Sequence, residues 1–420
     1  MGRAGGQNVS NTSDVRTSQA LWNLRGVFIL ILVSFHSCMP YLVSTQGPPT
    51  AFNAPPYVWL TFPIADQRRF LGFDLYCAWE DVHMMAMMYF LSGVFVAPSL
   101  RRKGVGKFVA DRTWRLGTPF LLSVFVLTPL AIYCVFHRLQ PDASVAEYLA
   151  AYGRLPFLPN GPQWFLWLLL AFSWLAAAIY TFAPEAFDRL GAFAAGARRR
   201  PRPFLIGMAL AAAIAYGPLA MAYGPFDWFE RGPFSFQESR PLLYGVFFFA
   251  GISVGSVELG EGLLAADGAL ARGWRRFAVL GPLALLSWMG ITGAVLAWPT
   301  FAPLTLGLLS ALGYVAASVL GVMALLATTI RFCARPIRWL TPLARNSMGI
   351  FALHYAPMVW MQDALTGASA PAFVKASVVF VVTMSVSLGL ALALRRSSAL
   401  AWAIGEEPTP AAPAPQYARL

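Results

Sequence analysis

Two of the four histidines in this 420-residue sequence, His36 and His354, lie inside apolar runs that begin at Arg25 and Arg345. Were both runs helical, a rise of ~1.5 Å per residue would carry each imidazole about 13–17 Å past its arginine. An ionisable side chain that deep in an apolar helix is costly, so a pair at matched depth points to chemistry. Imidazole suits general-base work near neutral pH, and burial favours its neutral, proton-accepting form. Ten residues separate Arg25 from His36, which puts them on nearly one helical face. The stripe between them fits an elongated molecule with an anionic head and a reactive tail, and acyl-coenzyme A is such a molecule.

A second pair of cations, Arg112 and Arg115, is spaced to share a helix face, and guanidinium groups grip phosphates through paired hydrogen bonds. Basic residues at the end of an apolar run also have a purely topological reading. Asp74, Glu80 and Asp81 precede the second run and are candidates to orient His36 from a loop that dips inward; a solvated loop is the plainer alternative. His83 stands beside them near the outer boundary, its role open. Trp164, in Gly161-Pro162-Gln163-Trp164-Phe165-Leu166-Trp167, is either a substrate contact or an interfacial anchor. Cys38, Cys77, Cys134 and Cys333 form no CxxC pair and have no companion histidine pattern, so no metal site is expected. A disulfide would need Cys77 joined to Cys38 or Cys134.

The elements that must hold these groups are membrane helices. Hydrophobic residues make up 58% of the chain and charged ones 12%, against about 25% charged in a soluble domain. Ten apolar stretches are long enough to span a bilayer: roughly 22–44, 83–100, 117–137, 163–183, 204–223, 241–257, 277–297, 304–329, 347–363 and 376–394. The eighth is long enough to tilt or break. The fold class is therefore all-α, a polytopic integral membrane protein of about ten transmembrane helices. With the N-terminus inside, the loops on that side hold 24 Lys/Arg and 9 Asp/Glu, and the outer loops 7 and 10. That asymmetry follows the positive-inside rule. It also accounts for the net charge of +12 without a nucleic-acid partner. An even number of spans puts both termini in the cytoplasm.

Residues 1–18 are polar, and 397–420 form a Pro/Ala-rich cytoplasmic tail. The first segment, and the tail from Gly405 onward, are expected to be disordered. Residues 19–396 form one membrane domain, whose partner is the lipid bilayer; an oligomer is compatible with the sequence. The outer segment 45–82 is longer than a minimal connector and is a candidate lid or substrate-binding loop.

Arg25 plus ten residues plus His36, then Phe90-Leu91-Ser92-Gly93, Arg112 with Arg115, the GPQWFLW stretch at 161–167, and NSMGIFALHY at 346–355 follow the order seen in one family. Over roughly residues 20–395 the chain resembles the acyltransferase-3 family, integral-membrane O-acyltransferases of extracytoplasmic carbohydrates. Members similar in layout include glucan succinyltransferases and O-antigen or exopolysaccharide acetyltransferases. The resemblance implies that His36 is catalytic, that His354 occupies a position where histidine is common, and that Arg25, Arg112 and Arg115 serve the donor. It further implies acetyl-CoA or succinyl-CoA as co-substrate, a glycan acceptor, and a bacterial inner (plasma) membrane. A covalent acyl carrier that relays the group across the membrane is an alternative to direct transfer. There are departures: some members carry histidine before the WFL motif, where this chain has Pro162-Gln163. The segment His83-Met84-Met85-Ala86-Met87-Met88-Tyr89 is also richer in methionine than the usual phenylalanine-rich version.

A carrier or flippase for a glycan or lipid-linked intermediate would also suit ten spans. Ion-coupled carriers commonly set carboxylates within their helices, and the apolar runs hold none except at their edges. No inverted repeat relates the two halves. A structural partner in polysaccharide export would leave both histidines without a task.

Overall fold

Backbone N–H and C=O groups in an apolar run have no solvent partner in lipid, so such runs close into helices. Helix is accordingly the main structure of the chain. A computed structural model describes residues 3–45, 47–224 and 227–408, with side chains from Ser13 onward. Among these residues, eight helices are long and apolar enough to cross a membrane. They include α1 (Arg3–Cys38), α2 (Leu71–Val94), α3 (Val105–Leu139), α4 (Trp164–Phe182) and α5 (Pro201–Ala222). A fifteen-residue apolar helix, α6 (Pro241–Gly255), follows, and then the long α7 (Trp274–Ala297) and α8 (Pro303–Phe332). The ninth expected stretch, 347–363, is two short helices, α9 (Ser347–Leu353) and α10 (Tyr355–Ala364), that meet at His354. The last long helix is α11 (Ala372–Leu394), and α12 (Ser398–Ala403) closes the described chain. The eighth expected span forms without interruption, as the thirty residues of α8.

Two expectations about the boundaries are corrected. Helix α2 begins at Leu71 rather than near residue 83, so Asp74, Glu80 and Asp81 lie on a membrane-length helix with His83 rather than in a dipping loop. A hydropathy reading stops at charges, but the helix continues because most of these charges have partners. Asp74 accepts the backbone N–H groups of Val43 and Ser44, each at 2.9 Å. Asp81 pairs with Arg240 at 2.5 and 2.8 Å. The termini are the second correction. Residues 13–18 belong to α1, where buried Thr17 donates to Leu264 O at 2.8 Å. Beyond α12 the chain folds back onto the bundle through buried Glu406. The rest of the tail expected to be disordered, 409–420, lies outside the described residues.

Helix α1 runs against α2, α8, α9 and α11. Helices α2 and α6 meet backbone to backbone. A Cβ on Gly93 would sit 2.0 Å from Phe248 O, and one on Gly251 would sit 2.0 Å from Phe90 O. This is the close approach that the Ser92-Gly93 step permits. At the periphery α7 packs on α8 and leaves Leu280, Leu283 and Leu286 exposed, apolar surface of the kind that lipid covers. A short hairpin pairs Trp228–Arg231 with Phe234–Gln237 in antiparallel register.

Candidate active site

Both histidines stand at helix breaks made by prolines. A proline ring clashes with the carbonyl four residues earlier and brings no N–H to it. Pro40 thus frees the carbonyl of His36, and α1 ends at Cys38. The side chain of Gln362 takes up that carbonyl, donating at 2.9 Å. Pro357 does the same to Leu353, and α9 ends there. Just before the break, Gln163 donates to the carbonyls of Phe351 (3.1 Å) and Ala352 (3.2 Å). Gln163 reaches them from a turn opened by Gly161, whose φ of +55° brings it against the Tyr355 ring. A Cβ on Gly161 would sit 2.8 Å from that ring.

These breaks bring the imidazoles together, with ring centroids 5.1 Å apart and planes tilted by 48°. His36 Nδ1 lies 2.9 Å from Leu32 O, and His354 Nδ1 lies 2.7 Å from Phe351 O. A carbonyl oxygen only accepts, so each Nδ1 carries the proton and each Nε2 keeps its lone pair. His354 is fully buried and its Nε2 has no partner among the described residues, whereas His36 is half-buried. The group that orients His36 is therefore a backbone carbonyl of its own helix, which corrects the expectation of a carboxylate. Nearby on α1, Ser34 Oγ meets Tyr76 Oη of α2 at 2.6 Å.

At the basic end of α1, the exposed side chain of Arg25 donates through Nε to Ser347 Oγ, at the start of α9. Glu406 and Arg115 lie within range for their charges to act on Arg25. Arg112 turns elsewhere and lies over the Phe108 ring, 5.3 Å from its centroid. A π-helical turn, Thr113–Gly117, begins between the two arginines, so the expected α-helical i,i+3 relation does not hold. Arg345 is exposed.

Among the described residues, none of the remaining candidates hydrogen-bonds to either imidazole. Asp74 fixes the chain after α1, and Asp81 neutralises Arg240, which lies over the Tyr314 ring at 5.0 Å. Glu80 is buried on α2 and has no hydrogen bond or ion pair among the described residues. His83 is buried against Gly321, with Nδ1 2.5 Å from Trp79 O. Trp164 stacks on Tyr244 and meets Trp228 edge-on, at 6.2 and 5.6 Å. The four cysteines are free thiols. Sequence reasoning missed Gln163, Gln362, Ser347 and Glu406. The spacings His36-x3-Pro40 and His354-x2-Pro357 could have pointed to side-chain amides as partners of the freed carbonyls. No comparable signal marks Glu406.

A bundle of membrane-length helices that brings two imidazoles together, with arginines at its basic end, defines a polytopic membrane protein with an ionisable pair among its helices. The chain belongs to the acyltransferase-3 family, whose acyltransferase-domain model matches residues 19–396. Searches of curated proteins and of solved structures returned no match. Family membership makes this chain a membrane acyltransferase and leaves donor and acceptor to be argued.

Proposed function

We propose that this protein transfers an acetyl or succinyl group from cytoplasmic acyl-CoA to a hydroxyl of an extracytoplasmic glycan, in a bacterial inner membrane. The observation that carries the reading is the His36–His354 pair, with both Nε2 lone pairs uncommitted, within a chain of an acyltransferase family. In this mechanism His36 Nε2 accepts the proton of the acceptor hydroxyl as its oxygen attacks the thioester carbonyl carbon. The C–S bond breaks, and the coenzyme A thiolate leaves with the proton held by the imidazolium. Arg25, with Arg115 beside it, would hold the phosphates, about 16 Å along α1 from the imidazole at the usual helical rise. A pantetheine-like arm spans such a distance.

The carrier reading gains something from the structure, because Glu80 and Asp81 lie within a membrane-length helix. Asp81 is already neutralised by Arg240, and family membership favours group transfer over transport. The deciding experiment uses purified full-length protein in nanodiscs with acetyl-CoA or succinyl-CoA and an oligosaccharide acceptor. Free thiol should appear in step with acylated sugar. Movement of sugar with the thioester intact would replace this reading with the carrier.

A further inference from the structure

The short C-terminal segment after α11, expected to be disordered from Gly405 onward, packs at the basic end of the bundle through Glu406. Ile404 is buried against Ala352 and Leu353, the two residues before His354. Gly405 adopts φ +72°, and a Cβ there would lie 2.6 Å from Arg115 O, so only glycine lets the chain pass. Glu406 is 4% exposed and accepts the backbone N–H of Gly349 in α9 at 2.9 Å. Arg25, Arg395 and Arg115 are the cations around its carboxylate. Arg395 in turn clamps the segment, donating to Glu407 O at 2.9 Å and to Asn346 Oδ1 at 2.7 Å. Glu407, by contrast, is mostly exposed and meets Arg115 at 3.3 Å.

We propose that Glu406 is a positioning residue for acyl transfer: through Gly349 it fixes the helix that ends at His354, and as counter-charge to Arg25, Arg115 and Arg395 it moderates their hold on an anionic donor. This rests on the acyl-CoA reading above. Without Glu406, only the exposed Glu407 would offset the three guanidinium groups, and they would bind the phosphates of coenzyme A more tightly in both donor and product. A single buried carboxylate among them weakens that grip at every stage of turnover. It also ties the arginine cluster to the α9 turn, so the donor end and the imidazole end share one brace. Burial pushes the Glu406 carboxyl above the usual carboxylate range, against the pull of the Gly349 N–H and the three arginines. Glutamine at this position keeps an acceptor for Gly349 and removes a buried charge, so Glu406→Gln is expected to fold.

The test measures coenzyme A binding by calorimetry and transfer kinetics on full-length protein in nanodiscs, for wild type, Glu406→Gln and Glu406→Ala. Glu406→Gln should bind coenzyme A about three- to tenfold tighter, with KM for the donor lowered in parallel, as loss of one nearby negative charge predicts. Glu406→Ala also loses the bond to Gly349, and its kcat should fall about tenfold or more. Glutamine should restore most of that loss. Coenzyme A binding equally to wild type and Glu406→Gln would overturn the inference and leave the donor reading intact, as would an alanine variant with wild-type kcat. Coenzyme A failing to bind wild type would overturn the donor reading itself. If Glu406→Ala does not fold, the Glu406→Gln binding shift alone decides.

Discussion

A base needs a lone pair that nothing else has claimed, and backbone bonding gives each imidazole one. Leu32 O and Phe351 O fix the tautomers of His36 and His354 and leave both Nε2 atoms as acceptors. In the proposed mechanism the two imidazoles, 5.1 Å apart, would act together as one acceptor of a single proton. His36 is half-buried and His354 enclosed, so the proposed mechanism gives the proton transfer to His36 and the sharing of the developing charge to His354. His36→Gln should lower kcat by about 10²–10⁴-fold, the usual worth of general-base help, with little change in donor binding. His354→Gln should cost less. Groups acting as a unit are not additive, so the double variant should be no slower than His36→Gln alone. Initial rates of thiol release from the three proteins check this. Fully additive losses would mean that the rings act separately.

Among the elements, the proline breaks shape the site more than helix length does. An uninterrupted helix through 347–364 would turn the carbonyls of Phe351 and Ala352 back into its own ladder and leave the buried amide of Gln163 without acceptors. Pro357→Ala tests this, because alanine supplies the missing N–H and favours helix. The variant should keep or raise its thermal unfolding temperature in detergent, while transfer falls about tenfold or more as His354 swings from His36. Unchanged activity would show that the break is incidental. The histidines and arginines were legible in the sequence because an ionisable residue stands out in an apolar run. Gln163 and Gln362 were not, since an uncharged amide carries no such signal and the carbonyls it serves are contributed from distant segments. The first turns of helix α2, before residue 83, hid for the opposite reason: Glu80 and Asp81 look like loop residues until Arg240, 159 positions away from Asp81, is known to cover one of them. Pro/Ala-rich composition likewise concealed that the chain around Glu406 is held by Gly349 and Arg395.

For the whole molecule, the proposed reaction depends on which way the bundle faces. Arg25, Arg115, Arg395 and Glu406 gather at one end, and the loop that bears Asn53 joins the opposite ends of α1 and α2. On the positive-inside expectation, 24 Lys/Arg against 7, the arginine end would face the cytoplasm, where coenzyme A thioesters are made. The proposed reaction needs that orientation, since its acyl donor and glycan would arrive from different compartments. Three of the four native cysteines are buried and Cys333 is half-buried, so single introduced thiols can report sidedness against a low background. Asn53→Cys should react with a membrane-impermeant maleimide on intact cells. Arg199→Cys, in the basic cluster before α5, should react only after permeabilisation. Both residues sit outside the imidazole site, so the labelled proteins should remain folded. The reverse labelling pattern would turn the Arg25 mouth outward, away from the cytoplasmic thioester pool. The two histidines would then need a donor of a different chemistry, delivered from the other side.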